Sequence, residues 1–154
     1  VNLPLIDTTI AENNQRFAEM AEKVLKLTNK DLNVAVLGLA FKNGTDDCRV
    51  SPAIQIITKM LEHNIKIIAY DPKANDCARK ILGDSISYAA NAEEALKNAG
   101  IAVILTEWPE FAKLNWEKIA TLMANKRVFD CRNLLNRTLM RDLGFEYHGI
   151  GFSD

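Results

Sequence analysis

Asn33-Val34-Ala35-Val36-Leu37-Gly38-Leu39-Ala40-Phe41-Lys42-Asn43-Gly44-Thr45-Asp46-Asp47-Cys48-Arg49-Val50-Ser51-Pro52 is the stretch that decides the fold. It opens on a short apolar run, Val34 to Leu37, which reads as a strand buried on both faces. The run breaks at Gly38, passes through a polar loop and reaches Ser51-Pro52, a helix start with Pro at the first helical position. Ile54, Ile57, Met60 and Leu61 then line one side of that helix. The same alternation continues downstream. Apolar β-rich runs recur at Ile65 to Tyr70, Ile101 to Leu105, Arg127 to Phe129 and Phe145 to Ile150. Between them, Asn91-Ala92-Glu93-Glu94 caps one helix, and another passes through Trp116, Ile119, Ala120 and Met123. Strands alternating with helices predict an α/β domain: a doubly wound, mainly parallel, Rossmann-like sheet with helices on both faces.

Upstream of this stretch the pattern changes. Ile10, Phe17, Met20, Ala21, Val24, Leu25 and Leu27 recur at three- and four-residue spacing, which predicts an amphipathic helix with caps at Asp7-Thr8-Thr9 and a polar stop at Thr28-Asn29-Lys30-Asp31. Periodicity alone allows this helix to fold back on its own domain or to connect to another domain or subunit. The predicted organisation is a helical segment, 1–30, followed by one domain, 31–154.

The 154 residues, 48% of them hydrophobic, suffice for a single core. With 19 Lys+Arg against 20 Asp+Glu the net charge is -1, so no general basic field argues for nucleic acid or an anionic membrane, and any anion must be held by local geometry. Cys48, Cys77 and Cys131 are odd in number and widely spaced. They argue against a disulfide framework and a zinc site, and fit a reducing cytoplasm. No apolar run approaches a membrane span. Val1-Asn2-Leu3-Pro4 lacks the basic and apolar regions of a secretion signal. The first residue is Val rather than Met, as a segment of a longer chain would show.

In such a sheet ligands bind beyond the carboxyl ends of the strands, so the residues just after each run are the candidates. The first loop has only Gly38 and Gly44, with bulky residues between them, and so lacks the G-x-G-x-x-G turn of a self-sufficient NAD site. It offers Phe41, Lys42 and Arg49 instead. Lys supplies a point charge for a phosphate or sugar oxygen, and Arg a planar fork. These cations could equally pair with Asp46 and Asp47. Arg132, after Asp130, brings a guanidinium to the same end of the sheet, or pairs with Asp130, or caps a helix. Trp108 and Phe111 flank Pro109 and read as packing residues or as stacking partners for a base. Asp46-Asp47 and Glu107/Glu110 read as solvated loop faces rather than paired catalytic carboxylates. His63 and His148 lack a metal-ligand partner, so no metal site is expected. Cys131 beside Arg132 has no evident His neighbour and reads as a packed strand-end residue.

Taken together, five ordered blocks resemble the UDP-glucose/GDP-mannose dehydrogenase family in its C-terminal UDP-binding domain. They are Val36 to Asp47 with Arg49, Ser51 and Pro52; Ala69-Tyr70-Asp71-Pro72-Lys73-Ala74; Ile104-Leu105-Thr106-Glu107-Trp108-Pro109-Glu110-Phe111; Phe129-Asp130-Cys131-Arg132-Asn133; and Gly144 to Gly151. The resemblance runs from about Asn33 to the C-terminus and is nearest to the UDP-glucose 6-dehydrogenases. The leading helix resembles the end of the long central helix on which these enzymes dimerise.

The resemblance implies that Phe41, Lys42 and Arg132 bind the UDP-sugar and that Arg49 reaches NAD held mainly by an N-terminal Rossmann domain. It implies no catalytic residue within these blocks: in the whole enzymes UDP-glucose is oxidised to UDP-glucuronate by two hydride transfers to NAD through a thiol in the central region. A segment with neither that thiol nor the NAD fold would be inactive alone. Two positions depart from the pattern, Asn43 where many members have Pro and Cys131 where Gly is usual, the second beside Arg132. Thr106-Glu107-Trp108-Pro109 leans toward glucose. The same domain of a UDP-N-acetylmannosamine dehydrogenase, a free-standing UDP-sugar-binding or regulatory module, and a receiver-like interaction domain are the alternative readings. The last lacks the acidic cluster it would need.

Overall fold

The computed structural model of the chain describes residues 4–151. The outer ends of the two predicted segments, and the Val1-Asn2-Leu3 start read as lacking a secretion signal, lie outside the described residues. The chain runs α1 (Pro4–Leu27), β1 (Asn33–Leu37), α2 (Pro52–Leu61), β2 (Ile67–Tyr70), α3 (Asn75–Leu82), a 3-10 turn (Gly83–Ser85), β3 (Ser87–Tyr88), α4 (Ala92–Leu96), β4 (Ala99–Ile104), α5 (Pro109–Ala112), α6 (Trp116–Leu122), β5 (Arg127–Asp130), α7 (Arg137–Asp142) and β6 (Glu146–Gly149).

All strands are parallel, in one six-stranded sheet of order β3-β2-β1-β4-β5-β6. The order reverses between β1 and β4, and a doubly wound sheet opens its ligand crevice at that switch point. β4 is buried at every residue, and β1 at every residue but Asn33. This is why both read as continuous apolar runs rather than as alternating ones. Local sequence sets the helix starts. Ser51 caps α2, its hydroxyl accepting from the N–H of Ala53. Asn91 caps α4 by accepting from the N–H of Glu94, whose carboxylate accepts in return from the N–H of Ala90. That reciprocal pair satisfies two N–H groups a helix start would otherwise leave open.

α1 begins earlier than predicted. Asp7-Thr8-Thr9 lie inside it, and the Thr9 hydroxyl donates to the carbonyl of Leu5 at 2.8 Å rather than capping the helix. Its C-terminal half buries Ala21 and Val24 against the domain, while Leu5, Ile6 and Ile10 stay exposed at 84%, 52% and 54%. The helix therefore folds back over part of its length only. Among the described residues no helix is long and apolar enough to cross a membrane.

A further correction concerns the cysteines. Their spacing argues against a disulfide framework, but the loop after β1 folds back onto α3 and joins Cys48 to Cys77, with a Cα–Cα separation of 6.1 Å, inside the usual range for a disulfide. Cys131 is free.

Candidate functional site

Three neighbouring strands, β1, β4 and β5, deliver their following loops to one edge of the sheet. The turn after β1 is fixed first. Gly38 sits at φ +98°, and a Cβ there would lie 2.5 Å from the Cβ of Thr106, so only glycine lets the β1 and β4 loops approach this closely. The Thr106 hydroxyl donates to the carbonyl of Ala40 at 2.9 Å, and the Ser51 hydroxyl donates to the same carbonyl at 3.3 Å.

Asp71, at the end of β2, organises this turn. Its carboxylate is 2% exposed. Oδ2 accepts from the N–H of Leu39 at 2.7 Å, the N–H of Ala40 at 2.9 Å and the indole N–H of Trp108 at 3.0 Å. Oδ1 accepts from the N–H of Lys73 at 2.9 Å and of Ala74 at 2.8 Å. Five donors around one buried carboxylate tie the β1, β2 and β4 loops into a rigid unit, because a buried charge is tolerated only when its acceptor sites are filled.

This arrangement decides the nature of the β1 turn. In a dinucleotide-binding turn the backbone N–H groups face a pyrophosphate at the start of the next helix. Here the N–H groups of Leu39 and Ala40 are spent on Asp71, and α2 begins only at Pro52. The turn does not fit NAD.

The predicted binding residues stand on this scaffold. Phe41 is 51% exposed at the loop tip, beside exposed Lys42. Lys42 has no ion pair among the described residues. Arg49 is paired with Asp47, Nη2 to Oδ2 at 3.0 Å and Nε to Oδ1 at 3.0 Å, so the within-loop pairing holds for Arg49 and not for Lys42. Arg49 pulls the carboxyl of Asp47 from its ordinary 3.8 down to about 2. Arg132 pairs with neither of the partners weighed from sequence. Its Nε donates to the carboxylate of Glu107, and only its backbone N–H bonds Asp130, at 3.1 Å. Glu107 also receives Asn43 Nδ2 on its carbonyl at 3.0 Å. One residue of the β4 loop thus ties the Phe41-Lys42 loop to Arg132.

The remaining candidates resolve as packing. Trp108 and Phe111 are buried at 8% and 0%, so neither presents a free face to a base, and Phe111 meets Tyr70 edge-on at 6.2 Å. The Tyr70 hydroxyl donates to Glu110 at 3.1 Å; burial, with the Glu110 charge adding, pushes its pKa up to about 12. Asp130, fully buried, accepts from the N–H of Leu135 and from the Tyr147 hydroxyl, which orders the loop carrying Arg132. Burial, reinforced by the Asp130 charge, lifts the Cys131 thiol to about 12 against the smaller pull of Arg132, so it is not a thiolate at neutral pH. Among the described residues no group of three or more His, Cys, Asp or Glu could hold a metal ion.

Sequence reasoning missed the parts played by Asp71, Glu107 and Asn133. Asn133, at φ +51°, exchanges hydrogen bonds with the backbone of Ile150 and joins the Arg132 loop to the end of β6. The Asx-type spacing of Asp71 to Lys73 and Ala74 was the one local signal available. The other contacts span 17 to 66 residues and leave no local trace. Away from this edge, a cavity of about 280 Å³ lies between α1 and the β5–β6 end of the sheet, lined by Lys23, Lys26, Arg137, Tyr147 and His148 among others; none of the predicted binding residues lines it.

Comparison with known proteins shows the family. Residues 35–137 match the model of the UDP-glucose/GDP-mannose dehydrogenase family, UDP binding domain. The UDP-glucose 6-dehydrogenase of Rickettsia prowazekii (strain Madrid E) is 39% identical over 155 residues, covering 98% of this chain and 36% of that protein. Among solved structures, a UDP-glucose dehydrogenase from the archaeon Pyrobaculum islandicum superposes with a TM-score of 0.70 at 27% identity, covering 93% of this chain and 30% of that one. A UDP-D-ManNAc dehydrogenase from Pyrococcus horikoshii gives 0.65 at 30% identity, covering 90% and 30%. The chain therefore spans about a third of the length of these relatives, and it belongs to the UDP-glucose/GDP-mannose dehydrogenase family as that family's UDP-binding domain.

Proposed function

We propose that this chain binds the nucleotide sugar in an NAD-dependent UDP-glucose 6-dehydrogenase-type oxidoreductase that converts UDP-glucose to UDP-glucuronate by two hydride transfers. The observation that carries the reading is the meeting, at Glu107, of the Lys42 loop and Arg132 on the switch-point edge. Lys42 supplies a point charge for the diphosphate and Arg132 a planar fork, while Phe41 covers the apolar side of the ligand. The Glu107 carboxylate holds the guanidinium in place before ligand arrives, which lowers the ordering cost of binding.

NAD, when bound, accepts the hydride. Because the β1 turn does not fit it, the cofactor belongs on an N-terminal Rossmann domain, and this chain contributes at most Arg49, exposed at the loop end, to its phosphates. In that setting residues 1–30 serve as the end of a central helix joining the two domains, residues 31–154 serve as the UDP-sugar domain, and a homodimer forms along the helix face that leaves Leu5, Ile6 and Ile10 exposed. The setting is cytoplasmic. The chain by itself positions substrate and does not oxidise it.

A UDP-N-acetylmannosamine dehydrogenase is the second reading, favoured by the Pyrococcus horikoshii neighbour at 30% identity. Calorimetric titration with UDP-glucose, UDP-N-acetylmannosamine and NAD separately tests both. Saturable binding of UDP-glucose in preference to the acetamido sugar, with no NAD binding, is expected. Preference for the acetamido sugar transfers the assignment to the second reading, and NAD binding without UDP-sugar binding refutes both.

A further inference from the structure

The loop from Gly38 to Ser51 is held at its two ends by different means. Its first half is tied to the sheet by Asp71, Thr106 and the Ser51 hydroxyl, all acting between Leu39 and Ala40. Its second half, 45–50, bonds within itself, Asp47 N–H to the Thr45 hydroxyl and Arg49 to the Asp47 carboxylate, and to its own flanks, the Phe41 N–H donating to the Asp47 carbonyl at 2.9 Å and the Ser51 N–H to the Cys48 carbonyl at 3.1 Å. Among the described residues its link to α3 is the Cys48–Cys77 pair, through the Sγ–Sγ bond and the Cys48 N–H, which donates to Cys77 Sγ at 3.2 Å. Cys48 is fully buried and is followed directly by Arg49, whose side chain is 80% exposed. Cys77 is half-buried, which makes it the more accessible of the two cysteines.

In the cytoplasmic setting proposed above, which is reducing, disulfides are usually transient, catalytic or redox-sensing. We propose that Cys48–Cys77 is a redox-reversible clamp that fixes segment 45–50, and with it Arg49, against α3, and that a dithiol reductant releases it. A thiolate of the dithiol attacks Cys77 Sγ and breaks the Sγ–Sγ bond. Cys48 leaves as a thiolate and takes a proton. The second thiol of the reductant then displaces Cys77 from the mixed disulfide. Two electrons and two protons pass from the dithiol, which becomes a disulfide, to the two cysteines. A small-molecule disulfide such as oxidised glutathione reverses the exchange. Asp71 holds the N–H groups of Leu39 and Ala40, and Glu107 holds Asn43, without the disulfide, so opening the clamp loosens Arg49 first, and the Phe41 N–H bond to the Asp47 carbonyl at 2.9 Å is the link through which the loosening reaches the Lys42 turn. The effect on ligand binding rests on the functional reading above, in which Lys42 serves the nucleotide sugar and Arg49 the cofactor side.

The test combines thiol counting by mass-tagging after denaturation with hydrogen exchange of the native 154-residue chain in oxidised and reduced glutathione and in dithiothreitol. The clamp predicts one taggable thiol, Cys131, in the oxidised buffer and all three in dithiothreitol, interconverting reversibly. On reduction, amides in 45–50 should exchange at least about tenfold faster, as a segment released to open locally does, while those of Leu39 and Ala40 keep their protection. Cys77→Ala should show the fast pattern in every buffer. Three thiols in oxidised glutathione, one thiol persisting in dithiothreitol, or unchanged exchange across 45–50 would each overturn the clamp. UDP affinity should change less than about threefold between the two forms, since the Asp71 bonds to Leu39 and Ala40 and the Asn43 bond to Glu107 hold the Lys42 turn without the disulfide. Absence of UDP binding in both forms would refute the binding reading, and the thiol and exchange data would still decide the clamp.

Discussion

Replacing Asp71 by Asn keeps the shape of the side chain and changes one acceptor oxygen into a donor. If the amide keeps its oxygen toward Leu39, Ala40 and Trp108, the N–H groups of Lys73 and Ala74 lose their acceptor; in the other orientation three donors are orphaned. A buried donor left unpaired costs about 1–3 kcal/mol, so the better orientation costs about 2–6 kcal/mol. The lower half of that range is expected because the Lys73 bond is only part-buried, unlike that of Ala74. Against a typical stability of about 5–15 kcal/mol, this is a large fraction. Urea unfolding followed by tryptophan fluorescence should show the midpoint falling with the slope unchanged, as a pure loss of stability requires. Trp108→Phe, which removes one of the five donors and leaves the carboxylate, should cost clearly less. A loss below about 1 kcal/mol for Asp71→Asn would refute the argument that this carboxylate holds the three loops together.

Gly38→Ala should destabilise by more than about 2 kcal/mol in the same assay, because it adds both a positive-φ penalty and a clash with Thr106; a neutral result would mean that the two loops do not meet as described. Asn91→Ala should cost about 1 kcal/mol through loss of the cap on α4, with Asn91→Asp nearly neutral. The pKa values of Tyr70, Tyr88 and Tyr147 are all raised, with burial as the leading cause. A folded tyrosine whose pKa lies above its unfolded value keeps its proton where the unfolded chain has lost it. The stability it adds is complete below the ordinary value of 10.0 and is lost as pH rises through the folded value, about 12 for Tyr70. The urea midpoint should therefore fall steadily between about pH 10 and pH 12, and fall less steeply in Tyr70→Phe.

The layout of the sheet was legible because its signals are local. A strand buried on both faces must be a run such as Val34 to Leu37, and a helix opened by Ser51-Pro52 or capped by Asn91 carries its start in the sequence. β3 escaped notice because it is a two-residue edge strand, and α3 because it is only eight residues long, with Cys77, Ala78 and Leu82 too short a stripe to stand out from the loops beside it. The candidate cations were legible as residue types placed after strands. Their partners were not: Arg132 lies 25 residues from Glu107, and Asn43 lies 64 from it. The disulfide was misread for the same reason, since 29 residues of intervening chain hide that Cys48 and Cys77 meet.

In the proposed function, Lys42 and Arg132 converge on the diphosphate of a uridine nucleotide. Calorimetric titration of UDP and of uridine into the wild-type chain, Lys42→Ala and Arg132→Ala tests it most directly. Each substitution removes a charge-assisted contact worth about 1.5–3 kcal/mol, so UDP affinity should fall by at least about tenfold in each. Folding should be barely disturbed, because the Arg132–Glu107 pair is partly exposed, at 38% and 32%. Uridine, which lacks the diphosphate, should bind all three proteins alike. UDP affinity unchanged in both variants, or uridine weakened as much as UDP, would contradict the account.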